Sequence, residues 1–139
     1  MLQSTPTMAQ QIAEVATALQ LQRTGHAPKS VTVVLSGDTL VVTLHGALSP
    51  AEQAMAQSPE GAAKVQDFHR QLFQTASETI RLEITRITGV DVREASVEME
   101  PTTGTVVQVF TTGAMVQVFL LARNVPTQTW SGNGQAKSL

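Results

Sequence analysis

Three histidines, His26, His45 and His69, are the side chains of this 139-residue chain best suited to proton transfer or metal ligation near neutral pH. They fall in three different segments, with no second ligand type beside any of them at the spacing a metal centre requires. Ordinary loop, strand and helix-surface histidines are therefore expected, and no metal. Glu94, Ser96, Glu98 and Glu100 alternate so that their oxygens share one strand face, as a hard cation would need. A solvated strand face has the same pattern and is the expectation here. Cysteine is absent, which excludes thiol nucleophiles, Cys-ligated zinc or iron–sulfur sites and disulfides. No nucleophile-elbow, P-loop or dinucleotide fingerprint occurs, so the Thr-Gly pairs at 103–104 and 112–113 read as turns. The chain is accordingly read as non-enzymatic, with no catalytic residue and no cofactor.

Two features remain that could bind something. Arg23, Gly25, His26, Pro28 and Lys29 crowd a polar loop, in which Arg23, His26 and Lys29 could meet an anion. A helix end that favours cations argues for a plain cap and strand lead-in. The second feature is a repeat inside a run of 22 residues, 101 to 122, that holds no ionisable side chain. Thr103-Gly104-Thr105-Val106-Val107-Gln108-Val109-Phe110 is echoed by Thr112-Gly113-Ala114-Met115-Val116-Gln117-Val118-Phe119, identical at six of eight positions. Two strands of one hairpin are expected, pairing Phe110 with Met115, Gln108 with Gln117 and Val106 with Phe119. A three-residue loop, which would split the two glutamines between faces, ranks second. Such a hairpin is apolar on both faces, and one helical layer cannot cover both. Val106, Gln108, Phe110, Met115, Gln117 and Phe119 are therefore expected at an oligomer interface.

The elements that must position these residues follow from spacing. Thr5-Pro6 starts a helix, its apolar positions Met8, Ile12, Val15, Ala16 and Leu19 recur at three and four residues, and Gly25 stops it; the helix is placed at 6–24. Val31–Leu35 and Leu40–Leu44 flank Ser36-Gly37-Asp38-Thr39 as a hairpin. Ser49-Pro50-Ala51-Glu52 has the spacing of a capping box and opens a short helix; Ser58-Pro59-Glu60 opens another at about 59. From Val65 a stripe of Phe68, Leu72, Ala76, Ile80, Ile84 and Ile87 runs to Gly89, a helix of about 29 residues and roughly 43 Å. Glu94–Glu100 alternates as a strand. The order αββααββ, with one further C-terminal strand, is that of a two-layer α+β domain. Residues 1–123 are read as that single domain and 124–139 as a loosely ordered tail.

Composition narrows the function classes. Nine basic against 11 acidic residues give a net charge of −2, and only 14% of residues are charged. No broad basic field is available for nucleic acid or anionic membrane. The uncharged run has the length of a membrane span, but Pro101, Gly104, Gly113 and its glutamines interrupt it. The first residues lack the features of a signal peptide, so a cytoplasmic protein without direct membrane insertion is expected. The element order also matches a type II KH domain, the alternative reading: a KH-like single-stranded nucleic-acid-binding module. That fold needs a Gly-x-x-Gly clamp between its helices. Gln57-Ser58-Pro59-Glu60-Gly61 stands there instead, and no nucleic-acid partner is expected.

Taken together, Gly25-His26-Ala27-Pro28, Gly37-Asp38, Leu44-His45-Gly46-Ala47-Leu48-Ser49-Pro50-Ala51-Glu52, Gly61, Arg70, Ile87-Thr88-Gly89-Val90 and Pro101-Thr102-Thr103-Gly104 before Val109-Phe110 form a recognisable pattern. It resembles the MpsC-like family of small bacterial proteins over about residues 8–111. The resemblance implies a soluble accessory or regulatory partner of a cation-translocating or inorganic-carbon uptake system whose membrane subunits are separate proteins. It brings no catalytic residues. This chain departs from the family's usual Gly-Arg-Gly-Pro at Gly25-His26-Ala27-Pro28, losing an always-charged side chain from that loop. Homo-oligomerisation and contact with transporter subunits are the expected associations.

Overall fold

The computed structural model describes residues 5–112 and 117–130. Helix α1 (Met8–Thr24) starts on a capping box in which Thr7 and Gln10 satisfy each other's backbone donors, and it ends where Gly25 takes the left-handed conformation, φ 75°. Strands β1 (Ser30–Ser36) and β2 (Thr39–His45) pair antiparallel across Gly37-Asp38. Gly37 has φ 57° and no non-glycine residue among the described residues has positive φ, so only the first turn position is left-handed, the demand of a type II′ hairpin turn. Helix α2 (Pro50–Met55) carries the expected Ser49/Glu52 capping box, and α3 (Pro59–Thr88) runs 30 residues from the Ser58 cap to Gly89. Strands β3 (Glu94–Glu100) and β4 (Thr105–Thr111) complete the order αββααββ.

The four strands form one antiparallel sheet in the order β1-β2-β4-β3. One face packs on the helices. Leu40, Val42 and Leu44 of β2 stand level with Phe110, Gln108 and Val106 of β4, and these with Ala95, Val97 and Met99 of β3. Against them lie Ile12 and Ala16 of α1 and Val65, Phe73, Ile80 and Ile84 of α3. The Phe73 and Phe110 rings meet at 6.1 Å between centroids. The fold is thus the two-layer α+β domain the spacing predicts.

Three details differ from expectation. The buried stripe of α3 passes through His69 and Phe73, while Phe68 is half exposed, because Phe73 meets Phe110 and His69 meets Glu52. The repeat does not pair with itself: β4 has β2 on one side and β3 on the other, so both edges on which a 114–119 strand could pair are taken. Residues 117–130 form no strand; residues 113–116, with Met115, lie outside the described residues. Consequently Val106, Gln108 and Phe110 do not face a partner. They are 2%, 7% and 2% exposed under the chain's own helices.

The junction of α2 and α3 is close. Gly61, three residues past the Ser58 cap and bonded to its Oγ at 3.0 Å, lies against the last carbonyl of α2. A Cβ there would overlap the Met55 carbonyl oxygen, with the carbonyl carbon 2.7 Å away. This is the segment where a KH domain carries its clamp.

Candidate functional site

Residues 25–28, 44–52 and 101–104 of the family pattern are far apart in sequence and meet at one end of the sheet, whereas Gly37-Asp38, Thr88 and Val90 border a pocket at the other end. His26 Nε2 lies 3.3 Å from the Gly46 carbonyl oxygen, and the Lys29 N–H donates to the His45 carbonyl at 2.7 Å. Gly46 has φ 60°, and the Lys29 methylenes fill the space a side chain there would need. Ala47 N–H donates to the Gly104 carbonyl at 2.8 Å, while Gly104, at φ 70°, rests on Leu48. Between these turns and α2 lies an open groove of about 490 Å³ walled by Lys29, Leu48, Gln53, Gln57, Thr102 and Thr103. Amides, hydroxyls and one ammonium make it a polar surface suited to a polar chain or an anion.

Of the candidate anion loop, His26 and Lys29 are brought together over Gly46. Arg23 is not with them: its Nη2 donates to the Ala76 carbonyl of α3 at 2.7 Å, tying the end of α1 to the middle of α3. Partial burial lowers its pKa from the ordinary arginine value.

Beneath this end lies a buried polar cluster that the sequence reading placed on the surface. His69 is 3% exposed, and its Nε2 stands 2.7 Å from Glu52 Oε2. The other carboxylate oxygen accepts from Ser49 N–H and Ser49 Oγ, both at 3.1 Å. Desolvation by burial is the largest influence on the Glu52 carboxyl and raises its pKa. The Ser49 bonds together with the hydrogen bond and charge of His69 outweigh it, and the net pKa is lowered from 4.5. The arrangement cannot make a nucleophile: in a triad the imidazole stands between hydroxyl and carboxylate, whereas here the carboxylate separates Ser49 from His69. Its effect is to hold α2 on α3.

A pH dependence follows. A carboxyl whose pKa is lowered by folding stabilises the folded state fully above its unfolded value and loses that contribution as pH falls through the folded value. Denaturant midpoints measured from about pH 6 to about pH 3 should fall for the native chain. Glu52→Gln keeps the shape without the charge and should flatten that decline; an unchanged acid limb would separate Glu52 from it.

Gln20 of α1 and Gln108 of β4 complete the cluster. Both are 7% exposed, and with His69 and Arg23 they border a cavity of about 10 Å³. Gln20 Nε2 and Gln108 Oε1 have no hydrogen-bond partner among the described residues. A volume of this order holds one water at most.

The opposite sheet face carries Thr105, Val107 and Val109 of β4 and the Glu94, Ser96, Glu98 row of β3. Val107 and Val109 are buried, with Val118 and Leu120 across a groove of about 530 Å³. Gln117 is exposed, as is Phe119, at 76%. Arg70 Nη2 approaches Glu98 at 3.9 Å. No group of three or more His, Asp or Glu among the described residues could hold a metal ion. The Glu52–His69 pair is the part of the site that the sequence reading missed. The available signal was His69 four residues from both Val65 and Phe73, on the stripe that faces the sheet.

The chain is 30% identical over 86 residues to "Uncharacterized protein YbcI" of Bacillus subtilis (strain 168), covering 62% of this chain and 69% of that protein. No solved structure matches. The family model described as "Na+-translocating membrane potential-generating system (MpsC)" matches residues 4–114, a span that holds every helix and strand of the domain, and the chain belongs to that MpsC family.

Proposed function

We propose that this chain is a non-enzymatic accessory or regulatory subunit of a cation or bicarbonate transport system, acting by protein contacts on the cytoplasmic side and as a homo-oligomer. The family match over residues 4–114 carries the reading. No helix among the described residues is long and apolar enough to cross a membrane, so in this reading the ion path belongs to other subunits. The Ser49–Glu52–His69 order supports a structural rather than a chemical role for the buried polar groups. The polar groove beside Lys29, assembled from the family's motif segments, is the surface offered to those subunits.

The test uses membrane vesicles from the native cell with the gene deleted and restored. Vesicles lacking the chain should build a smaller Na+-dependent membrane potential or take up less labelled bicarbonate, and restoring it should recover the activity. Undiminished potential and uptake in the deletion would overturn the proposal.

A further inference from the structure

The two edges of the sheet are treated differently. The β3 edge is partly occupied: Gln66 Nε2 donates to the Met99 carbonyl at 3.0 Å, and Arg81 Nη2 donates just upstream to the carbonyls of Val92 and Arg93. Its exposed row is acidic, so two such edges would repel. The β1 edge has none of this protection. Its seven residues, Ser-Val-Thr-Val-Val-Leu-Ser, contain no charge, no proline and no glycine, and Val34 and Leu35 are 53% and 68% exposed.

Its free backbone groups can be assigned. In a two-residue hairpin turn the flanking residues, Ser36 and Thr39, exchange hydrogen bonds, and bonded pairs then alternate. Ser30, Thr32, Val34 and Ser36 bond to β2, so Val31, Val33 and Leu35 point their N–H and C=O groups away from the sheet. No side chain of the described residues bonds to them.

We propose that β1 pairs antiparallel with β1 of a second copy of this chain, on a two-fold axis through Val33, to make a continuous eight-stranded sheet. This register matches all three free residues at once, Val31 with Leu35 of the other copy, Val33 with Val33, and Leu35 with Val31. Each exposed Leu35 then lies beside a valine on the helix-facing side, and Thr32 stands opposite Val34 on the other. The register also brings no like charges together: Lys29 of each copy falls level with Gly37 of the other, beside Asp38 in sequence. The pairing supplies the oligomeric part of the accessory reading and stands separately from the transport part.

The chain has no cysteine, so introduced ones report directly. Thr32→Cys and Val34→Cys, both exposed on the outer face, occupy a facing non-bonded pair whose Cα atoms lie about 4.5 Å apart, within disulfide reach. Mild oxidation of a mixture of the two full-length variants should give a cross-linked dimer in several-fold higher yield than either alone. Ser96→Cys, on the β3 edge, should stay uncross-linked. Sedimentation velocity should give a mass near twice 14.8 kDa. Leu35→Lys should reduce it to one chain with unchanged circular dichroism. A native chain that sediments as a monomer at tens of micromolar overturns the proposal. So does a dimer in which the mixture cross-links no better than the single variants. Either result leaves the vesicle test of the transport role intact.

Discussion

Phe110→Ala should lower the stability of the domain by about 3–5 kcal/mol, the range for truncating a buried phenylalanine. Phe110 is 2% exposed, pairs with Leu40 on one side and Ala95 on the other, and meets the Phe73 ring. Against a total of about 5–15 kcal/mol for an ordinary domain, that is a large fraction. Thermal unfolding followed by circular dichroism should show Tm lower by more than about 10 °C. Phe119→Ala, at a position 76% exposed, should change stability by no more than about 0.5 kcal/mol. The pair separates a core residue from a surface residue within one repeated motif. Equal effects would contradict the placement of β4 at the centre of the sheet.

The second large effect is expected at Gly61. Alanine is the better helix former by about 1 kcal/mol, so propensity alone predicts stabilisation. The Met55 carbonyl decides the other way: the added Cβ would overlap it, and backbone cannot swing aside as a long side chain can. Overpacking of this kind costs about 1–3 kcal/mol, occasionally more, and separating α2 from α3 would also pull Glu52 from His69. A net loss of about 2 kcal/mol is expected in chemical denaturation. Gly89→Ala is the comparison, since it has open space but φ 75° and should lose only about 1 kcal/mol. Stabilisation by Gly61→Ala would show that the junction relaxes freely.

Local chemistry explains what was legible from the residues. The caps at Ser49, Ser58, Gly25 and Gly89 and the Gly37-Asp38 turn satisfy or reverse the backbone where they stand, so the elements they bound could be placed closely, while the first helix, expected from Thr5-Pro6, starts two residues later on the Thr7 cap. Pairing of the last strand could not. The duplicated motif invited Val106–Phe110 to pair with its own echo, but β2 and β3 offered two complete partner edges. Nothing in a repeat tells which copy will be captured by distant strands. His69 illustrates the same limit: its contact with Glu52, 17 residues away in sequence, joins two helices, and no single-helix pattern contains it. The convergence of the turns around Lys29 likewise depends on the sheet that gathers them.

The order β1-β2-β4-β3 carries a consequence for how the chain finds its structure. Each outer pair is a near-neighbour hairpin, 36 to 39 and 100 to 105 at their closest, able to close within microseconds. The central seam joins Leu44 to Val106 and Leu40 to Phe110, across 62 to 70 residues of chain that include all of α2 and α3. Loop-closure entropy is concentrated in that one step. Refolding should therefore be governed by docking two preformed halves, and substitutions along β2 and β4 should slow it more than equally destabilising ones in either turn.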